Sequence, residues 1–361
     1  MWNRSKLVVI AVMAALLPPV GARAQGYTPV IIQGGGATNI YPQAINDKGQ
    51  VAGTAAFSGA TRAFLWTPAT STTGAVMKNL GTYKSYQWSN GTALNNRGDV
   101  VGRVQANSTS APQATYWQGG GAASLIFPAN ARQQSEAYAI NDSRQIVGEY
   151  TGQTAQTFLS QMVNGTRQTA ILGYGWPGGI TSAGKVLVRY NGTGYPAYVW
   201  TPSTSNGMTG AATAITEGPW VISDLDQIAG DTTYTIQNQW GTYNPDKPSL
   251  YVNGAWTDIP FPSIPPPSGA WVNGGAEAIS STGRVVGWMN AYDLTLPPPY
   301  SPTVQTVFVS DSSNGTRDIN TLVPVGWVVT DVYGINKTGQ ILAKATSGGV
   351  SYAVLLNPSS N

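Results

Sequence analysis

The chain has 361 residues, with 19 Lys and Arg, 16 Asp and Glu, 43 Gly, 24 Pro, and neither Cys nor His. Without Cys and His it can form no disulfide, no zinc site with those ligands and no imidazole-activated nucleophile. Asp224, Asp226 and Asp231 are spaced as calcium ligands could be, but they do not form an EF-hand loop, so no metal and no cofactor is expected. Any catalysis would depend on carboxylates, Tyr, Lys or Arg. The low charge and the many Gly and Pro residues are typical of short strands separated by turns.

Residues 1–24 have the parts of a secretory signal peptide in the usual order. Arg4 and Lys6 precede an apolar run from Leu7 to Leu17, and Ala22-Arg23-Ala24 is a small-residue cleavage site. The run is too short to span a membrane. We expect cleavage after Ala24 and a secreted or periplasmic protein, although a buried core helix is the alternative.

Cleavage would remove three basic residues, Arg4, Lys6 and Arg23, and leave 16 basic and 16 acidic residues. Binding to phosphate depends on clustered Lys and Arg, so a near-neutral mature chain argues against nucleic acid as a partner. No later apolar run is long enough to span a membrane, so no membrane insertion is expected after signal cleavage.

A short phrase at residues 44–53, Ala-Ile-Asn-Asp-Lys-Gly-Gln-Val-Ala-Gly, returns along the chain at intervals of 40 to 57 residues. Its second residue is the origin of each repeat, and the seven origins are Ile45, Leu94, Ile140, Ile180, Ile222, Ile279 and Ile335. An Asn, Thr or Ser follows each origin, and Gly stands four residues after five of them, which predicts a tight turn with a left-handed position. Two consecutive apolar residues then predict a strand that is covered on both faces.

Each repeat continues with a third strand, such as Ala63 to Trp66, and with a fourth strand. Asn-Gly pairs at Asn164, Asn253 and Asn314 predict hairpins into the fourth strand, which would cover residues 317–322 in the sixth repeat. Four short strands in each of seven repeats predict an all-β fold, a seven-bladed β-propeller of four-stranded antiparallel blades, as a single domain over residues 25–361.

The last repeat contains only three strands, whereas residues 28–32 form an unassigned strand near the start of the mature chain. We expect that N-terminal strand to complete the last blade and to close the ring by hydrogen bonds.

The pattern Ala-Ile-Asn-x-x-Gly-x-Val-Val-Gly followed by Ala-Phe-Leu-Trp, as at residues 44–53 and 63–66, resembles the HAF-type repeat of extracellular bacterial proteins. The resemblance covers essentially the whole mature chain and implies export and a repeat fold. It carries over no activity and no catalytic residue.

Aromatic residues precede each origin, in loops that the repeat itself does not dictate. Such rings either pack between blades or form a ligand-binding surface at the channel mouth. Tyr41 belongs to this group, and the candidate ligand-binding residues are Tyr86, Trp88, Tyr138, Trp176, Trp220, Trp271, Trp288 and Trp327. Trp66, Trp117 and Trp200 recur inside the third strand and are predicted to be buried in the core.

The same loops carry four carboxylates, namely Glu136, Glu217, Glu277 and Asp331. Two carboxylates at a suitable separation would suffice for glycoside hydrolysis, although solvated loop acids are the alternative.

The position nine residues after each origin is charged in repeats two to five, where it holds Arg103, Glu149, Arg189 and Asp231. Their alternating charges predict ion pairs between neighbouring blades. Trp288 and Lys344 break this alternation and are left as candidates for function.

We therefore expect an exported, non-enzymatic binding or scaffold propeller that recognises a glycan or a protein of the cell envelope. The alternative is a carbohydrate-active enzyme, either a glycoside hydrolase or a polysaccharide lyase.

Overall fold

The computed structural model describes residues 26–126, 133–152, 154–189, 196–216, 218–262, 270–293 and 302–359. The predicted signal peptide and Glu217 lie outside these residues. Seven four-stranded antiparallel sheets form a ring, which confirms the predicted seven-bladed β-propeller. The described residues contain no α-helix, only two short 3-10 turns, Gln118–Gly120 and Ile319–Thr321.

The first strand in the chain, β1 (Tyr27–Ile31), belongs to the last blade. Blade 1 contains β2 (Ala37–Ile45), β3 (Val51–Phe57), β4 (Ala60–Thr67) and β5 (Val76–Asn79). Blade 2 contains β6 (Trp88–Leu94), β7 (Val100–Gln105), β8 (Gln113–Trp117) and β9 (Ala123–Leu125). Blade 3 contains β10 (Gln134–Ile140), β11 (Ile146–Thr151), β12 (Ala155–Val163) and β13 (Thr166–Tyr174). Blade 4 contains β14 (Trp176–Ile180), β15 (Val186–Arg189), β16 (Ala197–Pro202) and β17 (Gly210–Ile215).

Blade 5 begins with β18 (Gly218–Ile222) and β19 (Ile228–Thr233), which are followed by an inserted hairpin of β20 (Ile236–Asn238) and β21 (Gly241–Tyr243). It ends with β22 (Asp246–Val252) and β23 (Ala255–Asp258). Blade 6 contains β24 (Ala270–Ile279), β25 (Val285–Asp293), β26 (Pro302–Asp311) and β27 (Gly315–Asp318). Blade 7 contains β28 (Trp327–Ile335), β29 (Ile341–Ser347), β30 (Val350–Pro358) and, as its fourth strand, β1.

The first strands of successive blades contact one another all the way around the ring, from β2 to β28 and back to β2. The ring closes through β1, which pairs antiparallel with β30 from Tyr27 opposite Pro358 to Ile31 opposite Val354. Beyond this ladder, Ser359 N donates to Gly26 O at 2.8 Å. The predicted closure by an N-terminal strand is therefore confirmed.

The turn between the first and second strands has the predicted left-handed position in every blade. Its Gly residues have φ values between 72° and 88°, for example at Gly49 and Gly184. The two exceptions, Arg144 and Asp226, adopt the same conformation with φ values of 62° and 58°. The left-handed region disfavours residues with a Cβ atom, and both residues nevertheless keep the hydrogen bond of the turn, from Arg144 N to Asn141 O and from Asp226 N to Ser223 O.

The Asn of the repeat joins one blade to the next at these turns. Asn46 Nδ2 donates to Asn95 O at 2.9 Å, and Asn95 Nδ2 donates to Asn141 O at 3.1 Å. Equivalent bonds run from Asn141 to Thr181 and from Asn336 to Asn46. Blades 4, 5 and 6 carry Thr181, Ser223 and Ser280 in this column, which are too short to make the same bond.

The hydrophobic core is divided among the seven junctions between blades. Each junction has its own cluster of buried apolar side chains, contributed by both adjacent blades. Trp66, Trp117 and Trp200 are at most 6% exposed, which confirms that they belong to the core. Gly53 and its equivalents allow the first strand to approach closely, since a Cβ at Gly53 would collide with Tyr41 O.

All three Asn-Gly pairs lie in hairpins that lead into an antiparallel fourth strand, as predicted. Asn164-Gly165 and Asn253-Gly254 both have positive φ at each residue, as a two-residue hairpin turn requires. In blade 6 the fourth strand is shorter than the predicted residues 317–322. The Asp318 carboxylate accepts from Asn320 N at 2.8 Å, which ends the strand and begins a 3-10 turn.

Candidate ligand-binding site at the channel mouth

Every first strand contains a β-bulge at the same place in the repeat, between the third and the first residue before the origin. One extra residue therefore stands outside the hydrogen-bonded ladder in each blade, and a bulge re-aims such a side chain. We call these seven residues the bulge positions: Gln43, Thr92, Tyr138, Gly178, Trp220, Glu277 and Tyr333.

The bulge positions carry exposed side chains next to buried ones. Trp220 is 47% exposed, whereas the preceding residue, Pro219, is buried at the blade junction. Tyr138 and Tyr333 are 37% and 36% exposed, and Glu277 is also exposed. The bulges therefore present aromatic and acidic side chains at the innermost strands of the propeller.

The residues nine after each origin form a second set, here called the second-strand positions. They lie directly opposite the fourth residue before the origin, so that Arg103 faces Asn90 and Glu149 faces Glu136. The set comprises Thr54, Arg103, Glu149, Arg189, Asp231, Trp288 and Lys344. The second-strand positions lie toward the end of the propeller at which the first strands begin and the second strands end. We call this end the mouth.

The second-strand positions connect neighbouring blades, but not by the predicted alternation of ion pairs. Arg103 pairs with Glu136 of blade 3 at 2.8 Å rather than with Glu149, because Glu136 lies between the two. Arg189 lies over the ring of Trp220 in blade 5, with 4.9 Å from Cζ to the ring centroid. Among the described residues, neither Arg189 nor Asp231 is in an ion pair within 4 Å.

Blade 3 contributes a compact polar group to the mouth. The Tyr138 hydroxyl lies 3.4 Å from both Glu136 Oε2 and Glu149 Oε2. Burial raises the pKa of Glu136, against the opposing effect of the Arg103 guanidinium. Burial and the two carboxylates also raise the pKa of Tyr138, so this phenol stays protonated at neutral pH.

A cavity of about 300 Å³ lies between blades 5 and 6 and is bounded by Arg189, Trp220, Asp231, Glu277 and Trp288. Trp220 Nε1 donates to Asp231 Oδ2, and Ala276 N donates to Asp231 Oδ1 at 3.2 Å. Burial raises the pKa of Asp231 to about 7 despite these two hydrogen bonds. Asp231 is therefore a carboxyl group that exchanges its proton near neutral pH.

Glu277 stands across the same cavity from Asp231. Trp288 Nε1 donates to Glu277 Oε1 at 3.0 Å. A Cβ built on Gly275 would lie 3.6 Å from Asp231 Oδ1 and 3.3 Å from Trp288 Nε1. These three distances join Asp231 Oδ1 to Glu277 Oε1 through Gly275 and Trp288, so the two oxygens are no more than about 10 Å apart. Glycoside hydrolysis uses carboxyl separations within that limit.

Two larger clefts flank blade 7. One of about 540 Å³ lies between blades 6 and 7 and includes Glu277, Trp288, Asp331 and Tyr333. The other, of about 520 Å³, lies between blades 7 and 1. A second bulge interrupts β2 between Thr38 and Tyr41, and another interrupts β28 between Val329 and Asp331. These bulged segments line the clefts, which is why the clefts occur beside blade 7.

Three of the eight predicted ligand-binding residues are exposed, namely Tyr138, Trp176 and Trp220. Trp288 is half-buried, and its indole donates to Glu277 in the cavity between blades 5 and 6. The other four are half-buried: Trp88 is the first residue of β6, Tyr86 packs edge-to-face on Tyr83, Trp271 stacks on Tyr292 and Trp327 packs on Tyr352.

The predicted carboxylates are partly brought together. Glu277 and Asp331 border the same 540 Å³ cleft, whereas Glu136 is paired with Arg103 in blade 3. Sequence reasoning missed Tyr333 and did not include Asp231 among the ligand-binding or catalytic candidates. A signal for Tyr333 was present, because the column two residues before the origin varies widely inside an otherwise regular phrase.

No protein-family model matches the chain, and no curated protein is significantly similar to it in sequence. The resemblance to the HAF-type repeat therefore remains a resemblance between motifs. The described residues contain no helix that is long and apolar enough to cross a membrane.

Similar solved structures include TolB from Acinetobacter baumannii, which is 12% identical with a TM-score of 0.37 over 83% of this chain and 76% of that chain. Another is a mutant of AofleA from Arthrobotrys oligospora, also 12% identical, with a TM-score of 0.29 over 73% of this chain and 84% of that chain. Both similarities are too low to carry a functional argument, and the assignment of the fold rests on the strand topology.

Proposed function

We propose that the protein is an exported, non-enzymatic propeller that binds a glycan at the mouth. The observation that carries this proposal is the set of bulge positions, where Tyr138, Trp220 and Tyr333 present exposed rings beside Arg189, Asp231 and Glu277. Aromatic faces pack on the apolar C–H faces of sugar rings, and carboxylates accept hydrogen bonds from sugar hydroxyls. Export is part of the proposal and rests on the motif in residues 1–24.

A glycan fits the mouth better than nucleic acid does. The mouth carries Glu136, Glu149, Asp231, Glu277 and Asp331, and these acids would repel a phosphate backbone. A stable complex with an envelope protein would instead bury a continuous surface of about 800 Å² on each partner, whereas the mouth offers separate cavities of about 300, 520 and 540 Å³. Glycan binding is therefore the proposal, and a protein partner is the outcome if no glycan binds.

The test is a panel of polysaccharides scored for retention of the purified protein and for new reducing ends. We expect retention without cleavage. Trp220→Ala should weaken binding about tenfold, because it removes a ring face from the site. Trp240→Ala is the matched control, since Trp240 is 46% exposed on the β20–β21 hairpin and borders none of the cavities described above. Equal retention of Trp220→Ala and native protein would contradict the proposal.

A second candidate, glycoside hydrolysis, is favoured by Asp231 and Glu277. With a pKa of about 7, Asp231 can donate a proton to a leaving glycosidic oxygen, and Glu277 would act as nucleophile or base. The same panel tests this candidate, because it predicts new reducing ends that disappear in both Glu277→Gln and Asp231→Asn. Retention with no product from the native protein would eliminate it.

A further inference from the structure

The cleft between blades 7 and 1 differs chemically from the rest of the mouth. Its walls combine uncharged polar side chains, Gln33, Asn39 and Ser351, with aromatic and aliphatic ones, Tyr41, Tyr333, Tyr352, Ile32 and Ile40. Tyr41 is 64% exposed and Tyr333 is 36% exposed, so both rings are accessible. No Asp or Glu borders this cleft among the described residues, in contrast to the two cavities around Glu277.

One cation lies in this cleft, the ammonium group of Lys344, a second-strand position. Lys344 is exposed, and among the described residues its Nζ atom makes no ion pair. Asp331 is its direct neighbour on β28, but that carboxylate accepts from Thr330 Oγ1 at 2.8 Å and borders the cleft between blades 6 and 7. Lys344 is therefore available to a ligand.

We infer that the cleft between blades 7 and 1 is a subsite for the carboxylate of an acidic sugar, with Lys344 as its counter-ion and Tyr41 and Tyr333 against the sugar ring. This inference rests on the proposed function and specifies its ligand class as a glycan that contains hexuronic acid. A single ammonium group matches a singly charged carboxylate. Sites for phosphate, by contrast, gather several N–H donors around one anion.

Tyr333 makes the subsite continuous with the neighbouring cleft. It borders both large clefts, and the cleft between blades 6 and 7 adds the polar side chains of Asn290, Gln305 and Asn320. A chain bound across Tyr333 would place an uncharged sugar among these amides and its carboxylate beside Lys344. In the opposite orientation the carboxylate would lie in the cleft between blades 6 and 7, where Glu277 and Asp331 would repel it.

The test compares an oligosaccharide that alternates galacturonate with a neutral sugar and its carboxyl-reduced, neutral counterpart by calorimetry. Native protein should bind the acidic oligomer about tenfold more tightly, and this preference should shrink as salt is raised. Lys344→Gln should abolish the preference and leave affinity for the neutral oligomer unchanged, whereas Lys344→Arg should keep it. Asp331→Asn should strengthen the preference, because it removes the nearest carboxylate.

Lys48→Gln is the matched charge control, since Lys48 is exposed at the turn end of blade 1, away from the mouth. Equal affinity of native protein for the two oligomers, or an undiminished preference in Lys344→Gln, would overturn the subsite and leave glycan binding intact. Displacement of the acidic oligomer by acetate as readily as by free galacturonate would also overturn it, because the sugar ring would then play no part. Failure of native protein to bind either oligomer, or any glycan of the panel, would overturn the proposed function and the subsite with it.

Discussion

Asp231 combines three properties that are usually separated in a protein. It bridges two blades through Ala276 N, it holds the indole of Trp220, and it has a pKa of about 7. Burial of a carboxylate disfavours its charged form, and here two donated hydrogen bonds offset that effect only in part. The position of Trp220 is therefore tied to a group whose charge changes near neutral pH.

The raised pKa of Asp231 predicts a pH dependence of stability with a definite sign. Between the usual value of 3.8 and about 7, the folded protein binds this proton more tightly than the unfolded chain does. The contribution of Asp231 to the free energy of unfolding is therefore present in full below pH 3.8 and is lost as the pH rises through about 7.

Asp231→Asn should remove this dependence, so that the variant gains about 4 kcal/mol relative to native protein between about pH 4 and about pH 8. Urea unfolding of both proteins across that range measures the gain. Asp258→Asn, at an exposed ion pair on the outer strand of the same blade, is the control. Parallel pH profiles for native protein and Asp231→Asn would contradict the prediction.

At the scale of the element, one Asn side chain in the turn between first and second strands has two roles: it stabilises its own turn and it binds the next blade. Asn95 Oδ1 accepts from Arg97 N and Asp99 N within its own turn, while Nδ2 donates to the next blade. Ser280 only stabilises its own turn, since its Oγ accepts from Thr282 N and Arg284 N. Blades with Asn are therefore joined more firmly at this end than blades with Ser or Thr.

Two substitutions at Asn95 separate these roles. Asn95→Ser keeps the acceptor within the turn and loses the two bonds that Nδ2 donates, to Asn141 O and to Asp99 Oδ2. We therefore expect a loss of about 1–2 kcal/mol in the free energy of unfolding. Asn95→Ala removes the acceptor as well and leaves buried donors unpaired, so about 2–3 kcal/mol should be lost. Chemical denaturation of both variants gives the two values. An unchanged free energy of unfolding in Asn95→Ser would show that the bond between blades contributes nothing, and equal losses in the two variants would show the same of the acceptor within the turn.

The sequence predicted these turns and the buried second strands, but it did not predict the bulges. Turn residues and apolar pairs recur at fixed spacing, and each has a local physical cause. A bulge depends on which residues pair across two strands, and the phrase has the same length with or without it. The sequence likewise could not show that Tyr86, Trp271 and Trp327 pack against other rings, because loop aromatics pack against whichever surface lies nearby in the fold.

For the whole molecule, stability depends on closing a ring of seven similar junctions. The junction between blades 7 and 1 is completed by β1, whose neighbouring residue Ile32 is 1% exposed in that core cluster. The number of blades and the closing strand could both be predicted, since the repeats can be counted and one strand was missing from the last. The size of the clefts beside blade 7 could not be predicted, because the extra bulges in β2 and β28 line these clefts and the sequence does not show the bulges.

Ring closure should depend on β1 being present but not on where it stands in the chain. A permuted protein in which a short Gly-rich linker joins Ser359 to Gly26, with the chain opened between Asn253 and Gly254, should fold with nearly native stability, because those ends are already hydrogen-bonded.

Deletion of residues 26–32 should instead give an insoluble or unfolded protein, since it exposes the edge of β30 and the core residues behind it. Circular dichroism and thermal unfolding distinguish the two outcomes. A stable deletion variant, or an unfolded permutant, would contradict the role assigned to the closing strand.

The bulge positions separate what the propeller displays from what holds it together. Their side chains stand outside the ladder, and seven positions carry six different residue types: Gln, Thr, Tyr, Gly, Trp, Glu and Tyr. Substitution at the exposed positions, such as Tyr138, Trp220 and Glu277, changes the chemistry of the mouth while the junction cores keep their contacts. Gly178 is the exception, because a Cβ there would lie 2.8 Å from Trp220 O. The fold thus provides a set of interchangeable side-chain sites on a fixed scaffold, through which the ligand specificity of this protein can be redesigned one blade at a time.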